Sequence, residues 1–334
     1  MADKITISDV AKKAGVSPAT VSRIINKKSD GSIKISPATR EKVLKVASEL
    51  GYRINPYASA LRSNQTGLIG AVVRDIGDPF LNKMIKELQK QFQTRKHELF
   101  IGHSAYKESV TENQLSMMIN HWFDGLIILT APDKQFIDEI HKSQIPYIFI
   151  YGGLIDMYKP TIRTDDKEGV KEAIEYLKDL KHEKIAFIGK KGTGTSQRTK
   201  FFREILDENL LKEEWVTEIT DETEIKSFIQ QTMEKDEKPT ALFCCTDRIA
   251  MKAIYACNEL NIKIPDELSI MGFDDIDSAS DIFPRLTTIR QPYEQIAKET
   301  LNYLFQRINE EENIMEDSVI LKPTLVIRDS CKER

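Results

Sequence analysis

The residues best suited to chemistry lie in two places far apart in a chain of 334 residues. The first opens at Ser17, Pro18 and Ala19. Ser17 can cap a helix starting at Pro18, since proline at the first helical position loses no hydrogen bond. Ser17, Pro18, Ala19, Ser22, Arg23 and Asn26 share the outward face of that helix and are small, polar or cationic. Small residues at a helix N-terminus allow close approach to base edges. Arg23 has the donor fork that pairs with guanine, and backbone N–H groups near Ser17 suit a phosphate. The second place is MGFDD, where Asp274 follows a run with the composition of a buried strand. A carboxylate there can accept from two neighbouring hydroxyls, as a sugar presents them. Arg198, in TSQRTKFF, offers a planar fork of donors at a helix start beside the loop GKKGTG. Each has a plainer use: Asp274 as a cap for the following turn, Arg198 as half of a surface ion pair.

Other chemistries find no support. The loop GKKGTGTS lacks both the terminal Gly-Lys-Ser/Thr of a P-loop and the spacing of a dinucleotide fold. The histidines show no HExxH spacing and no GxSxG occurs, so no catalytic constellation, metal or cofactor is expected. Of the 4 cysteines, Cys244 and Cys245 are adjacent while Cys257 and Cys331 stand alone. That is neither a disulfide framework nor a CxxC pair, and a reducing compartment fits. No run approaches the ~18 apolar residues of a membrane span, and MADKITISDVAKKAG carries charges where a signal peptide needs an apolar run. A cytoplasmic protein with no membrane contact is expected.

The elements that must hold these residues follow from periodicity. Ser8 is expected to cap a first helix carrying Val10, Ala11 and Ala14 on one face, ended by Gly15. Ala11, Val16, Val21 and Ile25 can close a small core with the second helix, making a helix-turn-helix. A third helix from about Ser36 to Leu50 turns Val43, Val46, Ala47 and Leu50 inward, and Gly51 stops it. The bundle by itself is equally compatible with a role unrelated to nucleic acid. From Gly67 the pattern becomes apolar runs separated by helix-length amphipathic stretches: LIGAVV, ELFIG, GLIILT, PYIFIY, KIAFIG, TALFCC and LSIMGF. Such runs read as buried parallel strands joined by crossover helices, an α/β doubly wound body. The runs exceed one sheet and divide near residues 152–165, so two sheets with a cleft between them are expected. Ligands of such sheets bind beyond the carboxyl ends of the strands.

Charge is divided along the chain. Residues 1–66 carry twelve basic and five acidic side chains, a net of +7, so the remainder of a chain of net −4 carries −11. A basic head on an acidic body suits a polyanion met at one end only. A solvated head of accidental charge fits the same count.

The segments TISDVAKKAGVSPATVSRIINKK and ISPATREKVLKVASELGYRINPYASALRSNQTGLIG resemble the head of lactose-repressor (LacI/GalR-type) transcription regulators, and further matches run almost to the C-terminus. The resemblance implies a recognition helix in the major groove of double-stranded DNA. It implies a hinge helix after the third helix, and Leu61 as the wedge that opens a central CG step in the minor groove. It also implies two lobes like those of periplasmic sugar-binding proteins, joined by three crossings near Thr164, Gln291 and Leu321. The domains expected are a helix-turn-helix head at 1–51, a hinge at 52–66 and a two-lobed body at 67–331. Lobe one would comprise 67–163 with 292–320, and lobe two 164–291 with 321–331. Asp274, Arg198, Thr246 and Gln291 match the family's ligand-lining positions, Phe80 fits its apolar wall, and Tyr151 stands where relatives often have an aspartate. Three departures accompany the match: the loop KKSDGSIKI is longer than usual, Ser59 replaces a frequent arginine, and Phe201 replaces a frequent glycine.

The expected function is a homodimeric, sequence-specific transcription regulator, a repressor of sugar uptake or catabolism genes. It would act on a near-palindromic operator with a central CG and answer to a sugar or related ligand in the cleft. The rival from another class is a cytosolic small-molecule binding protein, or a sugar-modifying enzyme, with an incidental basic head.

Overall fold

The computed structural model describes residues 5–25, 35–52, 65–120, 123–150, 158–192, 195–206, 212–310 and 318–334. The chain forms two units, Met1–Thr66 and Gly67–Arg334. In the first, α1 (Ile7–Ala14), α2 (Pro18–Ile25) and α3 (Pro37–Glu49) surround a core of Val10, Ala11, Ala14, Val21, Ile24, Val43, Val46 and Ala47. The cap of α1 is Thr6 and not Ser8. Thr6 and Asp9 form a reciprocal capping box, with the Thr6 N–H donating to Asp9 Oδ2 at 2.8 Å. Two backbone donors are thereby satisfied, where Ser8 would satisfy one. Gly15 closes α1 at φ 71°, a conformation that costs glycine little. Ser17 Oγ accepts from the Thr20 N–H at 3.1 Å, and Ser36 Oγ from the Thr39 N–H at 3.1 Å. Ile24 holds the central place expected of Ile25, and Ile25, Val16 and Leu50 pack against this core half-buried.

The body contains two sheets. β1 (Leu68–Val73), β2 (Glu98–His103), β3 (Gly125–Leu129), β4 (Tyr147–Ile150) and β5 (Thr161–Thr164) alternate with α4 (Pro79–Thr94), α5 (Glu108–Asn120) and α6 (Lys134–Ser143). After β5 the chain changes sheets. α7 (Asp166–Asp179), β6 (Ile185–Lys190), α8 (Ser196–Ile205), β7 (Val216–Ile219), α9 (Glu224–Met233), β8 (Ala241–Cys244), α10 (Asp247–Glu259), β9 (Ser269–Asp274) and β10 (Thr287–Arg290) complete the second series. α11 (Tyr293–Ile308) and β11 (Ser318–Leu321) return to the first sheet, and β12 (Thr324–Val326) to the second. The strand orders are β11-β5-β4-β3-β1-β2 and β12-β10-β9-β8-β6-β7. Pairing is parallel throughout except between β10 and β12. In each sheet the order reverses beside the first strand of its series, at β1/β3 and at β6/β8. Helices on either side of such a reversal part there and leave a crevice at the carboxyl ends of the strands.

The expectation of continuously buried strands fails at β2. Phe100 and Ile101 are 51% and 47% exposed, β2 being the edge strand of its sheet. Short strands also lie where no apolar run announces them. β5 is TIRT, β7 VTEI and β10 TTIR, and β5 falls within the stretch 152–165 that shows no periodicity. Among the described residues no helix is long and apolar enough to cross a membrane.

Candidate effector cleft and nucleic-acid interface

The cleft of the body is built where strands end. Its walls include Ile150, Ile162 and Thr164 from the first sheet and Lys190, Thr246 and Asp274 from the second. Asp274 is the last residue of β9, with φ at 121°, and Asp275 follows at 57°. Two consecutive non-glycine residues in this region store strain of the kind that clusters at ligand sites. The carboxylate is 5% exposed. Its Oδ1 accepts from Arg198 Nη1 at 3.2 Å and from Gln291 Nε2 at 2.8 Å, while Oδ2 accepts no hydrogen bond from the described residues. Burial pushes the carboxyl up to about 7, against the pull of Arg198 and with the help of Asp247.

Arg198 is no surface ion-pair residue. At 2% exposure it donates from Nε to Asp166 Oδ1 at 3.1 Å and from Nη1 to the Cys245 carbonyl at 2.6 Å, with Nη2 2.9 Å from the same Asp166 oxygen. Its Cζ lies 3.6 Å from the ring centroid of Phe273, the residue before Asp274. Burial opposes the arginine's charge, but Asp166 and Asp274 hold its pKa above the ordinary value. Burial likewise raises the Asp166 carboxyl, against Arg198. Gly169 permits this stack, because a Cβ there would stand 2.7 Å from the Phe273 ring. Phe201 is buried in the core that includes Phe273.

Gln291 and Thr246 also line the cleft. Gln291 Oε1 accepts from the Thr164 hydroxyl. Thr246 caps α10, its hydroxyl accepting from the Ile249 N–H at 3.3 Å. Phe80 lies on the opposite wall, 5.6 Å from the ring of Tyr293. These residues therefore converge with Asp274 and Arg198, whereas Tyr151 lies outside the described residues. Sequence reasoning missed the charged remainder of the walls. Arg74 pairs with Asp78 at 2.9 Å, Arg248 with Glu222 at 2.6 Å, and Arg163 sits beside them. Arg163 and Asp166 flank the first crossing in IRTDD, and Arg248 opens α10 two residues after Thr246. Position next to a strand end was the available signal.

In the head, Ser17, Pro18 and Ala19 are exposed at the start of α2, with Ser22 and Arg23 half-buried along it. Asn26 and Leu61 lie outside the described residues.

Comparison with known proteins places this geometry. Residues 6–55 match the model of bacterial regulatory proteins of the lacI family, and residues 174–331 that of the periplasmic binding protein-like domain. The HTH-type transcriptional repressor PurR of Pasteurella multocida is 32% identical over 337 residues, covering 98% of this chain and 99% of the relative. The chain belongs to the lacI family. As a LacI-family protein it is a DNA-binding transcriptional repressor and not an enzyme. The fold agrees with that of the Lac repressor dimer bound to operator and the anti-inducer ONPF, at a TM-score of 0.84 and 23% identity, covering 99% and 100% of the two chains. A LacI-family regulator from Enterococcus faecalis with bound ribose aligns at a TM-score of 0.68 and 25% identity, covering 79% of this chain and 98% of that one.

Proposed function

We propose that this LacI-family repressor is a cytoplasmic homodimer whose affinity for DNA is set by a small polyhydroxylated metabolite held between its lobes, and that its target genes serve uptake or breakdown of that metabolite. The observation that carries the reading is Asp274. Its Oδ1 is fixed by Arg198 and Gln291 while Oδ2 is left for a ligand inside a cleft with walls from both sheets. A carboxylate oriented in advance takes paired hydroxyls at little ordering cost. The ribose bound to the Enterococcus faecalis regulator supports the same class of ligand. Effector contacts are assigned to Phe80, Tyr151, Arg198, Thr246, Asp274 and Gln291.

DNA contacts are assigned to Ser17, Pro18, Ala19, Ser22, Arg23, Asn26 and Leu61, with the head at 1–51, the hinge at 52–66 and the body at 67–331. One head reads a half-site, so two-fold symmetry makes the operator a near-palindrome about a central CG. The edge strand β2, with Phe100 and Ile101 exposed, supplies an apolar surface for the second copy. Selection of bound duplexes from a random pool, followed by calorimetry of the wild type and Asp274→Ala on a sugar panel, tests the reading. It requires a palindrome and a loss of sugar affinity in the variant. Binding without base preference, or unaltered sugar affinity, contradicts it.

A further inference from the structure

The charges of the cleft do not balance, and they run against those of the body around it. Residues 67–334 carry a net of −11, yet among the described residues the cleft walls hold five cations (Arg74, Arg163, Lys190, Arg198, Arg248) and four carboxylates (Asp78, Asp166, Glu222, Asp274). With every carboxylate ionised one positive charge remains, and protonation of Asp274 leaves two. Three of the arginines are spoken for: Arg74 by Asp78 at 2.9 Å, Arg248 by Glu222 at 2.6 Å, and Arg198 by Asp166 and Asp274 at 2.9 and 3.2 Å. Arg163 is not. It is half-buried at the end of β5, and among the described residues it has no hydrogen bond, ion pair or ring contact. Its charge reaches Asp166 and draws that carboxyl down, but the two are not within ion-pair distance, and Oδ1 of Asp166 is already taken by Arg198.

A half-buried guanidinium with its planar fork unused is costly unless an acceptor arrives, and the acceptors it fits best are carboxylate and phosphate oxygens, bound bidentately. A neutral sugar offers hydroxyls, which Asp274 already suits, and leaves the excess charge standing. We propose that the effector is an anionic polyol, a sugar phosphate or a sugar acid, whose anionic group is bound by Arg163 while its hydroxyls meet Asp274. This rests on the effector reading of the cleft given above. Arg163 then determines specificity between an anionic ligand and its neutral parent.

The test is calorimetry of the full chain against matched sets: glucose, gluconate and glucose 6-phosphate, then ribose, ribonate and ribose 5-phosphate. Each set is measured on the wild type, Arg163→Gln and Arg163→Lys, with far-ultraviolet dichroism to confirm folding. The wild type is expected to prefer an anionic member over its neutral parent by about tenfold or more, the equivalent of a partly desolvated ion pair. That preference should fall to within about threefold in R163Q, recover in part in R163K, and shrink as salt is raised. Which of the two anionic arms shows it identifies carboxylate or phosphate as the group. A neutral sugar that binds as tightly as both its derivatives overturns the anionic class while leaving the cleft an effector site, and so does an anionic preference that survives in R163Q. Failure of every member to bind overturns the effector reading along with this proposal.

Discussion

Gln291 donates to Asp274 Oδ1 at 2.8 Å while its own carbonyl accepts from the Thr164 hydroxyl. Thr164 ends β5, where the chain first changes sheets, and Gln291 follows β10, next to the return into α11. The cleft carboxylate is therefore bonded, through one amide, to two of the three passages between the sheets. A ligand that alters the charge or hydrogen bonding of Asp274 is felt where the lobes turn on each other, which is what coupling between two sites requires.

This relay predicts coupled losses. Gln291→Leu leaves the Thr164 hydroxyl buried without an acceptor, a cost of about 1–3 kcal/mol. Thr164→Val removes the hydroxyl itself, and the double variant should be less destabilised than the sum of the singles, by about 0.5 kcal/mol or more. Urea denaturation of the four proteins checks this. Additive losses would show that the two crossings do not communicate through Gln291.

The Asp274 carboxyl at about 7 predicts a pH dependence of effector binding. Hydroxyls donate to the ionised form, so ligand binding stabilises the carboxylate and affinity falls as pH drops below about 7. The groups around it are Arg198, Asp166, Asp247 and Asp78, of which Asp247 is raised to about 6 by burial. For stability the sign is opposite to that of an ordinary surface carboxylate. The folded protein keeps this proton while the unfolded chain loses it, so the group's contribution declines from about pH 4 to about pH 7 and is level above. Calorimetry between pH 5.5 and 8.5, repeated on Asp274→Asn, should show the fall in the wild type and its absence in the variant.

Gly169→Ala should disturb the cleft from outside it. The new Cβ meets the Phe273 ring at 2.7 Å and Pro323 at 3.0 Å, and the guanidinium of Arg198 lies over that same ring. Overpacking of this kind costs about 1–3 kcal/mol. Thermal denaturation should register the loss, with a parallel drop in effector affinity. A variant of normal stability and affinity would mean that the ring yields without moving Arg198.

Replacing Phe100 and Ile101 by aspartate on the edge strand β2 should weaken self-association at least about tenfold, since charge on an apolar interface is poorly paired. Sedimentation equilibrium reads this directly. Unchanged association would place the interface elsewhere.

Much of the cleft was legible because its residues follow apolar runs. LSIMGF leads into Asp274, and TALFCC leads to Thr246. What escaped depends on distance along the chain. Arg198 meets Asp166 across 32 residues and Asp274 across 76, and no local pattern announces such partners, so the sequence places Arg198 at the cleft but leaves a surface ion pair open as its alternative use. The strands β5 and β10 escaped because TIRT and TTIR are polar by composition and are held by neighbours on either side. The cap expected at Ser8 falls at Thr6, a residue of the same capping type, because Thr6 and Asp9 bond each other reciprocally.

Reciprocal coupling between the cleft and DNA is tested most directly by one titration. The duplex recovered by selection is titrated with the full-length protein, alone and saturated with the tightest-binding sugar derivative. Ligand affinity is then measured with and without that duplex. The account predicts a change in DNA affinity of about 5- to 150-fold, with the same factor for the ligand when DNA is bound. Equal DNA affinity with the cleft filled and empty would contradict it.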